Sequence, residues 1–176
     1  MPTFFVGDSV ARGMGQGAPG AETYATERMA VPNMGHHFSN AIARAQPGDT
    51  VVVSAGYNGG VDQTGRAQLT GWIRALRERG AQVSIVGLRE DFSGGGAYRH
   101  LAGTTPATNQ TLRAIAAETG ATFAEGTIDV ANRIDRGQIQ GNYAQVRATA
   151  LAALSTGNTA WAAATPRTLN TPPASP

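Results

Sequence analysis

Short β-branched or apolar runs alternate along the chain with longer segments of helical period, which restricts it to an α/β fold built on a mainly parallel sheet. The strands are expected at Thr3 to Val6, Thr23 to Thr26, Thr50 to Ser54, Gln82 to Leu88 and Thr122 to Ala124. The central ones are apolar on both faces, as buried parallel strands require. Leu69, Trp72, Ile73 and Leu76 fall at i, i+3, i+4 and i+7, the stripe of a helix lying on a sheet. Leu112, Ile115 and Ala116 make a second stripe, and Tyr143, Val146, Ala150, Leu151 and Leu154 a third. Gly80 and Gly120 each stand between a helical stripe and a strand, where a left-handed residue closes the helix.

At 176 residues the chain suits one domain, expected over 1–155. From Ser155 onward the sequence turns to Ser, Thr, Asn, Ala and Pro, so 156–176 reads as a Pro/Thr/Ala-rich tail, extended or held by a partner. All 14 basic residues are arginine, which removes the lysine of a phosphate loop, of a pyridoxal Schiff base and of a lysine general base. With no cysteine there is no disulfide framework, thiolate metal site or cysteine nucleophile, and no cofactor is implied. Acids and arginines are interspersed around a net charge of +2, so no nucleic-acid surface is expected. The start lacks a basic and then apolar leader, and no stretch approaches the roughly 20 apolar residues of a membrane span. The expectation is a protein with no export signal and an undetermined location.

In an open parallel sheet ligands sit beyond the carboxyl ends of the strands, which singles out the loops there. The first strand runs into Gly7-Asp8-Ser9, a serine in a tight turn ahead of a helix, where a nucleophile and part of an oxyanion hole can be built. Asp8 or Ser9 also suits a plain helix cap. The third strand delivers Gly56-Tyr57-Asn58-Gly59-Gly60 to the same edge, with an amide able to donate to an oxyanion; Asn-Gly-Gly is equally an ordinary turn. Gly13-Met14-Gly15-Gln16-Gly17 lacks the acidic residue and helix pattern of a dinucleotide loop. The three histidines are His36, His37 and His100.

Gly7-Asp8-Ser9 after the first strand and Gly56-Tyr57-Asn58 after the third resemble the SGNH, or GDSL-type, hydrolase family. The resemblance runs over about residues 3 to 154 and implies a flavodoxin-like three-layer α/β/α sandwich with five strands, acting on acyl esters of lipids, glycans or small molecules. It implies Ser9 as nucleophile and Ser9, Gly35 and Asn58 as oxyanion donors. Gly59 stands where the family has aspartate. The family's last block, Asp-x-x-His, is matched by Asp135-Arg136-Gly137-Gln138, with glutamine in the base position. A second register, Gln140-Gly141-Asn142-Tyr143, replaces both residues. A glutamine amide accepts no proton near neutral pH, and losing a member of such a triad lowers turnover by about 10⁴ to 10⁶.

The leading expectation is therefore a catalytically degenerate SGNH-like domain. Its polar cleft, with Tyr57, His36 and Gln138 as ligand-binding groups beside Ser9 and Asn58, would take a glycan or an acylated carbohydrate. A role as a structural component of a larger, phage-like or extracellular assembly goes with it, through protein partners of the tail. The alternatives are an active serine esterase using Ser9 with His36 or His37 as base, and a scaffold with a vestigial cleft. Ser93-Gly94-Gly95-Gly96 is read as a mobile connection or a substrate wall, and His100 as exposed.

Overall fold

The computed structural model describes residues 1–90, 101, 103–126, 134–135, 138–139 and 142–164, with side chains for all of these except 134–135, 138–139 and 157–164. Ser93–Gly96, His100 and the tail from 165 onward lie outside the described residues.

Five strands, β1 (Thr3–Gly7), β2 (Glu22–Ala25), β3 (Thr50–Ser54), β4 (Gln82–Val86) and β5 (Thr122–Ala124), form one sheet in the order β2-β1-β3-β4-β5. Every pairing in it is parallel. The central runs are apolar on both faces because both are covered: Phe4, Phe5, Val6, Val51, Val52, Val53, Val83 and Ile85 are all buried. Helices α1 (Ser9–Gln16) and α5 (Tyr143–Ala164) pack together on one face. Helices α2 (Gly35–Arg44), α3 (Gln63–Glu78) and α4 (Thr105–Thr119) follow one another across the other. The α2–α3 contact is a stack of Phe38 on Trp72, with ring centroids 4.7 Å apart. This is the three-layer α/β/α sandwich that the alternating pattern and the resemblance imply.

Right-handed crossovers explain the layering. The chain leaves β1 toward β2 through α1 and then returns past β1 to β3, so the winding reverses between β1 and β3 and the next helices fall on the opposite face. That reversal opens the crevice in which doubly wound sheets hold ligands. Asp62 starts α3, its Oδ1 accepting from the Gly65 amide at 2.7 Å. Gly80 (φ +85) and Gly120 (φ +72) close α3 and α4 in the left-handed region.

β1 ends one residue later and β2 lies one residue earlier than the sequence expectation, and two boundaries differ by more. β4 ends at Val86, because the Asn109 side chain on α4 takes both the amide and the carbonyl of Leu88, each at 2.7 Å, and draws the chain out of the ladder. α5 runs on from the expected domain end at 155 to Ala164. A short antiparallel hairpin, β6 (Ile134–Asp135) and β7 (Gln138–Ile139), precedes α5. Among the described residues no helix is long and apolar enough to cross a membrane.

Candidate functional site

The carboxyl ends of β1, β2 and β3 meet at Gly7. Its φ of +134 is open to glycine alone, and a Cβ there would lie 1.9 Å from the Ser54 carbonyl oxygen at the end of β3. The chain can thus turn sharply between two strands. The Asp8 amide donates to the Ser54 carbonyl at 3.1 Å, and the Thr26 amide, just past β2, donates to the Gly7 carbonyl at 3.1 Å. Ser9 follows at the first position of α1, half-buried, where its N–H has no intrahelical acceptor. The sequence left Ser9 open between a cap and a nucleophile. The cap is Asp8, whose Oδ1 accepts from the Val10 amide at 3.0 Å, so the Ser9 hydroxyl is not spent on capping.

Asp8 is fully buried, an unusual place for a carboxylate. Its second oxygen and the buried Ser54 hydroxyl make no hydrogen bond of standard geometry among the described residues. Burial pushes the Asp8 carboxyl up to about 6, while the nearby Ser54 hydroxyl and the amides of Val10 and Ala11 pull the other way. A carboxyl raised on folding favours the native state when protonated, so its stabilisation is present at acid pH and is lost as pH rises through about 6. The difference from an ordinary aspartate amounts to about 3 kcal/mol. Asp8→Asn keeps the cap and removes the titration. Urea unfolding from about pH 4 to about pH 8 is expected to show the wild type losing roughly that much stability relative to the variant; parallel profiles contradict the account of Asp8.

Gly56 (φ +115) turns the chain out of β3 into the Asn58 loop. Asn58 is half-buried, and its Nδ2 donates to the Met29 carbonyl at 3.3 Å, tying the loop to the segment between β2 and α2. Tyr57, expected as a ligand face, is only 6% exposed and packs in the core. Its hydroxyl accepts from the Arg89 amide at 2.8 Å, and burial raises its pKa, with Asp8 and Tyr143 adding to the effect of burial. It supports the loop from beneath. Gly35 is the first residue of α2, half-buried, with its N–H among the unpaired amides of a helix start.

Of the two histidines on α2, His36 is exposed and His37 buried. The rings touch, with centroids 4.0 Å apart, and His37 Nε2 lies 2.8 Å from the Thr26 hydroxyl. Burial first and the His36 charge second lower the His37 pKa, so its ring is neutral at neutral pH. Arg12, on the first turn of α1, pairs with Glu27. Asp135 and Gln138 face each other in the β6–β7 hairpin, and β7 lies against α1, the helix that Ser9 begins; their side chains are outside the described residues.

The likeness to solved structures agrees with this arrangement. A proposed SGNH hydrolase from Slackia heliotrinireducens matches with a TM-score of 0.63 at 17% identity, over 89% of this chain and 98% of that one. A lipolytic protein of the G-D-S-L family from Veillonella parvula matches with a TM-score of 0.59 at 19% identity, over 88% and 97%. The fold is that of the SGNH hydrolases. The C-terminal catalytic domain of peptidoglycan O-acetyltransferase A from Streptococcus pneumoniae, solved with a methylsulfonyl adduct, shares this SGNH fold with a TM-score of 0.62 at 15% identity, over 90% and 94%. No family model and no curated protein sequence matches the chain.

Thr26, Ser54 and Asn109 were not singled out by sequence reasoning as parts of this region, and Asp8 was read there as a cap, not as a buried carboxyl. An aspartate and a serine at the carboxyl ends of two apolar strands are the signal for the Asp8–Ser54 contact. Thr26 and Asn109 act through partners distant in the chain and leave no local pattern.

Proposed function

We propose that this SGNH-fold chain binds an O-acylated carbohydrate at the Gly7-Asp8-Ser9 turn, with Ser9, Gly35 and Asn58 as donors to the ester carbonyl, and turns the ester over slowly or not at all. The observation that carries this reading is the β6–β7 hairpin. Asp135 on β6 is in register with Gln138 on β7, the strand that lies against α1, and no histidine follows His100 in the chain. A hydroxyl without a base is a weak nucleophile but remains a hydrogen-bonding group. The carbohydrate is favoured by the polar donors of the cleft and by the peptidoglycan O-acetyltransferase that shares the fold. Calorimetric titration with an O-acetylated trimer of N-acetylglucosamine tests the reading. Binding is expected to weaken about fivefold in Ser9→Ala and in Asn58→Ala, one hydrogen bond each. No binding by the wild type, or binding indifferent to both substitutions, overturns it.

A second reading, an active serine esterase, is favoured by one observation. His37 is bonded to Thr26, whose amide is in turn bonded to Gly7, so a neutral imidazole stands on the side of the serine turn.

A further inference from the structure

α1 carries a glycine at position 13, four residues after Ser9. Residues four apart are stacked neighbours on one helix face, with Cβ positions about 5–6 Å apart. A Cβ on Gly13 would meet three atoms of the Tyr143 ring, Cε1, Cδ1 and Cζ, at 2.4, 2.5 and 2.5 Å. Three near-equal distances to adjacent ring atoms mean that the ring lies face-down on the glycine. Side-chain bonds in a helix tilt toward its N-terminus, so the place where Gly13 would carry a Cβ lies over the turn that begins with Ser9. The Tyr143 ring fills that place. Tyr143 is the first residue of α5 and half-buried, and it bears electrostatically on Tyr57, as Asp8 does. Tyr57, which the sequence offered as the ligand-facing aromatic, is buried with its hydroxyl taken up by the Arg89 amide.

From this placement we infer that Tyr143 is the aromatic wall of the ligand site, against which the pyranose ring of the acylated sugar stacks while its ester reaches Ser9. The inference rests on the carbohydrate reading and adds to it a residue that contacts ligand and sets specificity for a ring-shaped group. It also gives a reason for the glycine: any side chain at 13 pushes the ring off the helix.

The test titrates the full-length chain with the O-acetylated N-acetylglucosamine trimer and follows the sugar protons by NMR. Tyr143→Phe, which keeps the ring, is expected to bind within about twofold of wild type. Tyr143→Leu, which keeps apolar packing without the ring, is expected to bind about tenfold more weakly while melting within a few degrees of wild type. In the wild type and in Tyr143→Phe, sugar-ring protons should shift upfield on binding, a readout that stands even where the leucine variant folds poorly. Tight binding by a folded Tyr143→Leu, or no upfield shift in the wild type, overturns the inference and leaves the carbohydrate reading in place. A wild type that binds no trimer overturns both.

Discussion

Gly7→Ala is expected to lose about 4 kcal/mol of stability, an exceptional loss for one methyl group and a large part of the total for a single domain. Two effects add. At φ +134 an alanine is strained by roughly 1–3 kcal/mol, and its Cβ would lie 1.9 Å from the Ser54 carbonyl oxygen, which belongs to a central strand and moves only if the sheet does. That carbonyl also accepts the Asp8 amide, so the shift pulls on the residue that caps α1 and precedes Ser9. Gly59→Ala separates the two effects: its φ is +88 but nothing lies within 4 Å of the added Cβ, so only backbone strain remains, about 1 kcal/mol. Thermal melting should show a drop of about 10 °C for Gly7→Ala and of only a few degrees for Gly59→Ala. Equal drops mean that the contact with Ser54 contributes nothing.

The strands were legible because buried parallel strands need apolar residues on both faces, and runs such as Val51-Val52-Val53 and Gln82 to Val86 suit little else. Helices α3, α4 and α5 were legible through their stripes, and the ends of α3 and α4 through Gly80 and Gly120, whose positive φ local sequence can announce. Contacts between residues far apart in the chain were not. The end of β4 depends on Asn109, a helix residue that supplies a donor and an acceptor to Leu88. Tyr57 reads as a ligand-facing aromatic because it stands in the loop after β3, yet its ring is buried and its hydroxyl meets the Arg89 amide. Gly13 and Gly15, set aside in the sequence as an incomplete dinucleotide loop, are places of close approach, one to Tyr143 and the other to Thr23. Tyr143 itself reads as the first member of a core stripe. Val146, Ala150 and Leu154 are buried as that stripe requires, while Tyr143 sits half-buried on the serine-bearing helix.

Ser9 begins α1, and on the proposed reading it has no proton acceptor, because the resemblance puts glutamine, Gln138, where the family has its base. Gln138→His supplies an imidazole three residues after Asp135, on the strand that lies against α1. A positioned general base is worth about 10² to 10⁴ in rate, so this substitution has the largest expected effect on activity. The direct measurement is hydrolysis of an activated acetyl ester from about pH 5 to about pH 9 by the wild type, Ser9→Ala, His37→Ala and Gln138→His. Wild type, Ser9→Ala and His37→Ala are expected to match the uncatalysed rate, and Gln138→His to exceed it by about 100-fold or more, with a rise centred near a histidine pKa and lost when Ser9→Ala is added. Turnover by the wild type that disappears in both Ser9→Ala and His37→Ala contradicts the account, and makes the chain a serine esterase whose base is the imidazole held by Thr26.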